Sequence, residues 1–482
     1  MNETKRDCSR RDFLAAAGLG AVLAARGGRA AEPGAGAARR PNIVYVFGDQ
    51  WRAQATGYAG DPNIDTPNLD RLAAQSVNFS QAVSGCPVCT PYRASLLTGQ
   101  YWLTHGVFMN DVNLPAEVPS IADILSEAGY ETGYIGKWHL DGHGRSSFIP
   151  RERRQGFDFW RVLECTHNYN HSEYFGDTPE RKLWEGYDAI AQTAAAQRYM
   201  RAHAADEDPF LLMLSWGPPH APYQTAPERY RKRFRAEDIQ LRPNVPAELA
   251  DTARKELAGY YAHIAALDDC LGELLDTLDD LGIAEDTIFV FTADHGDLLR
   301  SHGEVKKQQP YDESIRVPFL LRYPRKLAAR EVNTLLNTPD ILPTLLGLAG
   351  VDIPPSVEGR DFSGTLAAGE TPEAGPALLM CVQPFGQWSR ARGGREYRGL
   401  RTQRHTYARG LDGAWLLFDN EADPYQMNNL AGVPAHAELQ QRLDAQLAGI
   451  LRARQDAFLP GPVYLEREGY EVDKTGTVPY EP

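Results

Sequence analysis

Four runs of strand length, far apart in the chain and led by the apolar Asn42–Gly48, each give way at their C-terminal end to ionisable side chains. Asn42–Gly48 leads into Asp49 and Gln50, and Glu131–Gly136 into Lys137, Trp138 and His139. Pro209–Trp216 leads into Pro218, Pro219 and His220, and Asp286–Thr292 into Asp294, His295, Gly296 and Asp297. Unbroken apolarity, rather than alternation, marks strands buried on both faces, which is the pattern of a parallel sheet. Between and beyond them, Pro119–Ala128, Tyr187–Ala204, Ala250–Leu281 and Asp340–Leu348 read as helices, and Val317–Leu321 as a further strand. The alternation predicts an α/β fold, a large and mostly parallel sheet sandwiched by helices. In such sheets the C-terminal strand ends share one edge, where ligands bind. The four polar clusters are therefore predicted to meet.

The stretch Cys89-Thr90-Pro91-Tyr92-Arg93-Ala94-Ser95-Leu96-Leu97-Thr98-Gly99 carries the chemistry. Pro91 suits a first helical turn and Gly99 a helix end. A helix starting at Pro91 would place Cys89 at its mouth, where unpaired amides and the dipole favour an anion. On their own, Cys86-Pro87-Val88-Cys89 read first as buried thiols, with a redox pair or half a zinc site as the chemical alternatives. No second C-x-x-C or nearby His pair completes a zinc set. Asp49 and Asp294 are hard oxygen donors suited to calcium or a similar dication, and His295 is a softer one. Residues 140–185 read as loops over a site, in which His167, Tyr169, His171 and Tyr174 are candidates to line a substrate pocket. Asp268, Asp269, Glu273, Asp276, Asp279 and Asp280 read as the solvated face of the long helix.

The string C-T-P-Y-R-A-S-L-L-T-G resembles the signature of the sulfatases, with Tyr92 where serine or alanine is usual. The resemblance spans residues 41–455, and Leu417–Asp419 with Glu421–Leu430 resembles a stretch common near the end of such chains. It implies an alkaline-phosphatase-like fold and a Cys89 oxidised to formylglycine (3-oxoalanine) by a formylglycine-generating or radical maturation enzyme. By the same resemblance Asp49, Gln50, Asp294, His295 and the modified Cys89 hold a calcium ion, with manganese or magnesium as alternatives. Arg93, Lys137, His139, His220 and Lys307 then complete the catalytic pocket. The hydrated formylglycine would attack sulfur, His220 with Lys307 would protonate the leaving oxygen, and His139 would take the proton that lets sulfate depart. The expected substrate is a small sulfate monoester, of a sulfated sugar. Gln50 and His295 stand where many sulfatases carry aspartate and asparagine, a variant similar to choline sulfatases and phosphonate monoester hydrolases. Choline sulfatase and phosphonate monoester hydrolase or phosphodiesterase activity on the same fold are thus the alternatives. A non-catalytic sulfoglycan-binding relative is an alternative of another class.

Ser9-Arg10-Arg11-Asp12-Phe13-Leu14, with an apolar run to Ala25 and small residues after it, reads as a twin-arginine signal peptide over residues 1–31. It is too short to span a membrane and predicts a periplasmic or extracellular enzyme. A catalytic domain is expected over 41–370. Pro, Gly, Glu and Ala dominate 354–376 and introduce a smaller α+β subdomain over 371–482, with antiparallel strands at Arg398–Tyr407 and Trp415–Asp419 and a closing helix at Ala435–Gln455. The last twenty residues show no clear pattern. Beyond Cys8 in the leader there are five cysteines, Cys86, Cys89, Cys165, Cys270 and Cys381, which is no disulfide framework. A net charge of −14 argues against nucleic acid and anionic membrane surfaces as partners. An anionic substrate must then be held by a local cluster of cations.

Overall fold

The computed structural model describes residues 39–480; the leader lies outside the described residues. The strands, in chain order, are β1 (Asn42–Asp49), β2 (Val77–Phe79), β3 (Glu131–Lys137), β4 (Phe159–Leu163), β5 (Glu173–Tyr174), β6 (Lys182–Leu183) and β7 (Phe210–Pro219). They continue as β8 (Thr287–Ala293), β9 (Phe319–Arg322), β10 (Arg330–Val332), β11 (Ala377–Cys381), β12 (Tyr397–Arg401), β13 (His405–Gly410) and β14 (Gly413–Asp419). Eight of them form one sheet in the order β10-β2-β9-β8-β1-β7-β3-β4. Only β9 runs antiparallel to its neighbours. All eight residues of β1 are buried.

Side chains opposite one another in register share a face, so Tyr45, Met213 and Tyr134 point one way and Val44, Leu212 and Gly133 the other. On the first face, helix Cys89–Thr98 sets Tyr92 against Phe47 and Tyr45. On the second, Tyr199 of helix Asp188–His203 lies so close to Gly133 that an added Cβ would meet its ring at 3.0 Å. Helices thus cover both faces, as the unbroken apolar strands require. Gly136 has φ 104, and a Cβ there would come within 2.0 Å of the Ser215 carbonyl oxygen. Only glycine lets the chain pass there and deliver Lys137 at the strand end.

Four expectations need correction. Residues 140–185 are not wholly loop: β4 extends the main sheet beside β3, and β5 and β6 form a separate two-stranded ribbon. The short, interrupted apolar pattern of that stretch hid an edge strand. The Cys89 helix begins at Cys89 itself, with Val88 as its extended N-cap, so Pro91 is the third helical residue. Arg398–Tyr407 comprises two strands, β12 and most of β13, within the antiparallel sheet β11-β12-β13-β14. Asp268 is buried rather than solvated, because its carboxylate accepts from the backbone N–H groups of Asn68 and Leu69. It caps helix Pro67–Ala73, whose own N-cap residue makes no capping side-chain bond.

Candidate active site

The strand ends do meet. Asp49 closes β1, Lys137 closes β3, His220 follows β7, and Asp294 and His295 follow β8. Helix Cys89–Thr98 points its first residue at them. Asp49, Cys89, Asp294 and His295 are buried, and one ligand atom of each lies within 4.8 Å of all the others. The Cys89 Sγ is 3.2 Å from His295 Nε2 and 3.7 Å from Asp49 Oδ1. His295 Nδ1 is 2.9 Å from the Gly296 carbonyl, which can only accept, so the proton sits on Nδ1 and Nε2 faces the cluster with a lone pair. Two carboxylates, an imidazole and position 89 form a donor set that fits a dication.

Three cations border it. Lys137 Nζ is 2.5 Å from Asp49 Oδ2, and Arg93 reaches Asp49 at 3.6 Å and Asp294 at 3.4 Å. Arg93 is fixed by donating to the Lys137 carbonyl and to Ser215 Oγ, both at 2.7 Å. Lys307 Nζ stands 3.3 Å from Cys89 Sγ and 3.1 Å from Gln50 Oε1. The Gln50 amide is held by donating to Asp297 Oδ2 at 2.7 Å, so its oxygen is turned to Lys307.

The charges follow from this packing. Burial pushes the Asp49 carboxyl up, but Lys137, His220 and Lys307 outweigh it and hold the group well below the usual range. Burial and Asp49 push the Cys89 thiol up, and Lys137, Lys307 and His295 more than reverse that. Asp294 is pushed up to about 6 by burial and by Asp49 beside it. Two carboxylates so close hold excess negative charge that a cation would relieve.

The two histidines rest in opposite states. Burial lowers His139, yet Cys165 and the Asp111 carboxylate, 3.1 Å from Nε2, lift it to about 9. Its Nδ1 is buried and without a partner, which leaves one nitrogen free for chemistry. His220 is held well below its ordinary value by burial, Lys307 and His167, and its Nδ1 is 2.8 Å from the Ala221 carbonyl. At rest, therefore, His139 is charged and His220 neutral. The expected acid and base parts need the reverse.

The loop candidates divide. His167 stacks on His220, ring centroids 4.4 Å apart, and so borders the site. Tyr169 is fully buried and its hydroxyl is spent on the carbonyls of Gly217, His220 and Ala221. It props the His220 segment from below rather than facing a substrate. Tyr174 stacks on Trp184 in the β5–β6 ribbon, and His171 is exposed. Neither meets the cluster. Two buried residues escaped the sequence reading, Asp111 (which orients His139) and Ser215, and a third, Asp297, was named at its strand end without a role. Nothing around Asp111 marked it.

Buried cations facing two carboxylates and an imidazole that fit a dication, at the C-terminal edge of a mostly parallel sheet, define a hydrolase of oxyanion esters. The sulfatase family model matches residues 41–351, and the model described as N-sulphoglucosamine sulphohydrolase, C-terminal, matches 301–453. The chain belongs to the sulfatase family and is a sulfuric ester hydrolase. It is 48% identical to an ulvan-active sulfatase of Formosa agariphila over 451 residues, covering 92% of this chain and 87% of that one. A solved structure from Bacteroides fragilis, described as a sulfatase, superposes with TM-score 0.79 at 29% identity, covering 89% of this chain and 99% of its own. The phosphonate monoester hydrolase of Agrobacterium radiobacter shares the fold, with TM-score 0.72 at 23% identity, covering 92% of this chain and 100% of its own.

Proposed function

We propose that this enzyme removes sulfate from a sulfated sugar by means of a formylglycine made from Cys89 and a divalent cation held by Asp49, Asp294 and His295, with Gln50 beside them. The observation that carries the reading is the placement of Cys89 at a buried helix start between those donors and the cations Lys137, Arg93 and Lys307. When present, the hydrated formylglycine and the metal supply an oxygen nucleophile and stabilisation of developing negative charge. Calcium fits the oxygen donors, and manganese or magnesium are the alternatives.

The chain's own residues do the rest. Lys137 and Lys307 hold the sulfuryl oxygens, and Arg93 fixes the carboxylates and position 89. A bound sulfate ester adds negative charge beside His220 and raises its pKa, so the substrate itself charges the acid that protonates the leaving oxygen with Lys307. His139, oriented by Asp111, offers its free Nδ1 as base. That base starts from the protonated state, which places the working range on the alkaline side. Residues 1–31 would serve as a twin-arginine leader to the periplasm or beyond, 41–370 as the catalytic domain and 371–482 as the smaller subdomain.

Mass spectrometry of the Cys89 peptide, from protein made with a maturation enzyme, tests the first step, and an aldehyde or its hydrate is expected. Paired assays on 4-nitrophenyl sulfate, ulvan oligosaccharides, choline sulfate and phenylphosphonate monoesters test the second. Phosphonate turnover above every sulfate ester would overturn the assignment.

A further inference from the structure

The tail that showed no pattern in the sequence is tied across the molecule. After helix Gly461–Glu468, the Tyr470 hydroxyl donates to the Gly106 carbonyl at 3.1 Å and its ring lies 5.5 Å from that of Phe108. Further on, Gly386 N–H donates to the Thr475 carbonyl at 3.0 Å. These anchors deliver Tyr480, whose ring centroid is 3.5 Å from the Arg145 guanidinium carbon.

Arg145 is no remote surface group. It donates to both oxygens of Asp111, at 2.8 and 2.9 Å, and Asp111 Oδ1 is the atom 3.1 Å from His139 Nε2. Asp111, His143, Arg145 and Tyr480 all line one cavity of about 260 Å³. The catalytic histidine is therefore one side chain away from a pocket that the tail helps to wall. His143 and Tyr480 are its open groups, with 53% of the His143 side chain and 42% of Tyr480 exposed. Pockets for drug-sized ligands run from about 300 Å³ upward, so this one suits a single ring.

We propose that Tyr480, with His143 and Arg145, forms a subsite on the His139 side of the active site that holds one pyranose ring of an oligosaccharide beyond the esterified ring. The proposal rests on the sulfatase reading above and adds the part of the substrate that stays behind after sulfate leaves. The flat face of Tyr480 suits the C–H face of a sugar ring, while His143 and Arg145 offer donors to its hydroxyls.

The test compares the ratio of kcat/KM for ulvan oligosaccharides to that for 4-nitrophenyl sulfate in wild type, Tyr480→Ala, Tyr480→Phe and the control Met427→Ala. Met427 is exposed on the surface. We expect Tyr480→Ala to lower the ratio at least tenfold, mainly through KM for the sugar, with Tyr480→Phe and Met427→Ala close to wild type. An unchanged ratio, or equal losses on both substrates, overturns the proposal. So does a wild type that cleaves the aryl ester and no sugar. Wild type inactive on every sulfate ester refutes the sulfatase reading instead, and that is seen before any substitution is made.

Discussion

Replacing Asp111 by asparagine tests how the resting charge of His139 is set. Asp111 is buried against both His139 and Arg145, and burial and Lys137 would lower the imidazole; Cys165, Asp111 and Cys89 instead carry it from 6.5 to about 9. With a pKa near 9, about one His139 in a hundred is neutral at pH 7. Asparagine keeps the shape and an acceptor oxygen but removes the charge. Loss of an opposite charge at this range moves a pKa by about 1–3 units, which leaves between about a tenth and nine tenths of the imidazole neutral at pH 7. If His139 is the base, the rising limb of kcat/KM against pH for 4-nitrophenyl sulfate moves down by the same 1–3 units. The stability consequence has a fixed sign. A pKa raised in the fold stabilises fully below about 6.5, and the effect is lost as pH rises through about 9. Through this histidine the variant should therefore lose about 1–4 kcal/mol in weak acid, a loss that fades toward pH 10 and leaves there only the cost of the broken Arg145 pair, read from urea midpoints. A rising limb that stays in place would refute both the base assignment and the electrostatic account of it.

Exhaustive chelation should abolish sulfate ester turnover, and adding back calcium, manganese or magnesium should restore it; an enzyme indifferent to chelator would remove the metal from the mechanism. Asp188, buried with Oδ1 unpartnered, has its carboxyl pushed up to about 8 by burial, so the folded state holds a proton that the unfolded chain releases near 3.8. Stability should fall as pH rises between those values, and Asp188→Asn should flatten the fall; identical pH profiles of the melting temperature would contradict this. Asp268→Ala strips the cap from helix Pro67–Ala73 and should cost about 1–2 kcal/mol with kcat unchanged, as urea unfolding would show.

What the sequence disclosed follows from the kind of signal each feature leaves. β1, β7 and β8 are buried on both faces, so their apolar runs marked them and the polar residues beyond them marked the site. β4 sits at the sheet edge with mixed burial, and its pattern was too weak to separate from loop. Lys137, His139 and His220 were legible as polar residues at strand ends, and Lys307 only through the family resemblance. Asp111 was not, because its part depends on a left-handed turn, φ 64, that aims it at a histidine on another segment. Asp268 misled for the opposite reason, since a carboxylate on a helix face cannot reveal from sequence that another helix begins above it.

The burial of Cys89 has a consequence in time. The side chain is 1% exposed, under a layer made from segments that lie as far along the chain as Lys307. A second enzyme cannot bring its own active site to such an atom. The enzymatic oxidation proposed for Cys89 would then have to happen on the still unfolded chain, in competition with folding itself. A molecule that closes first keeps its thiol for life, so a preparation would contain two populations that never interconvert, and their proportion would record how long the chain stayed open.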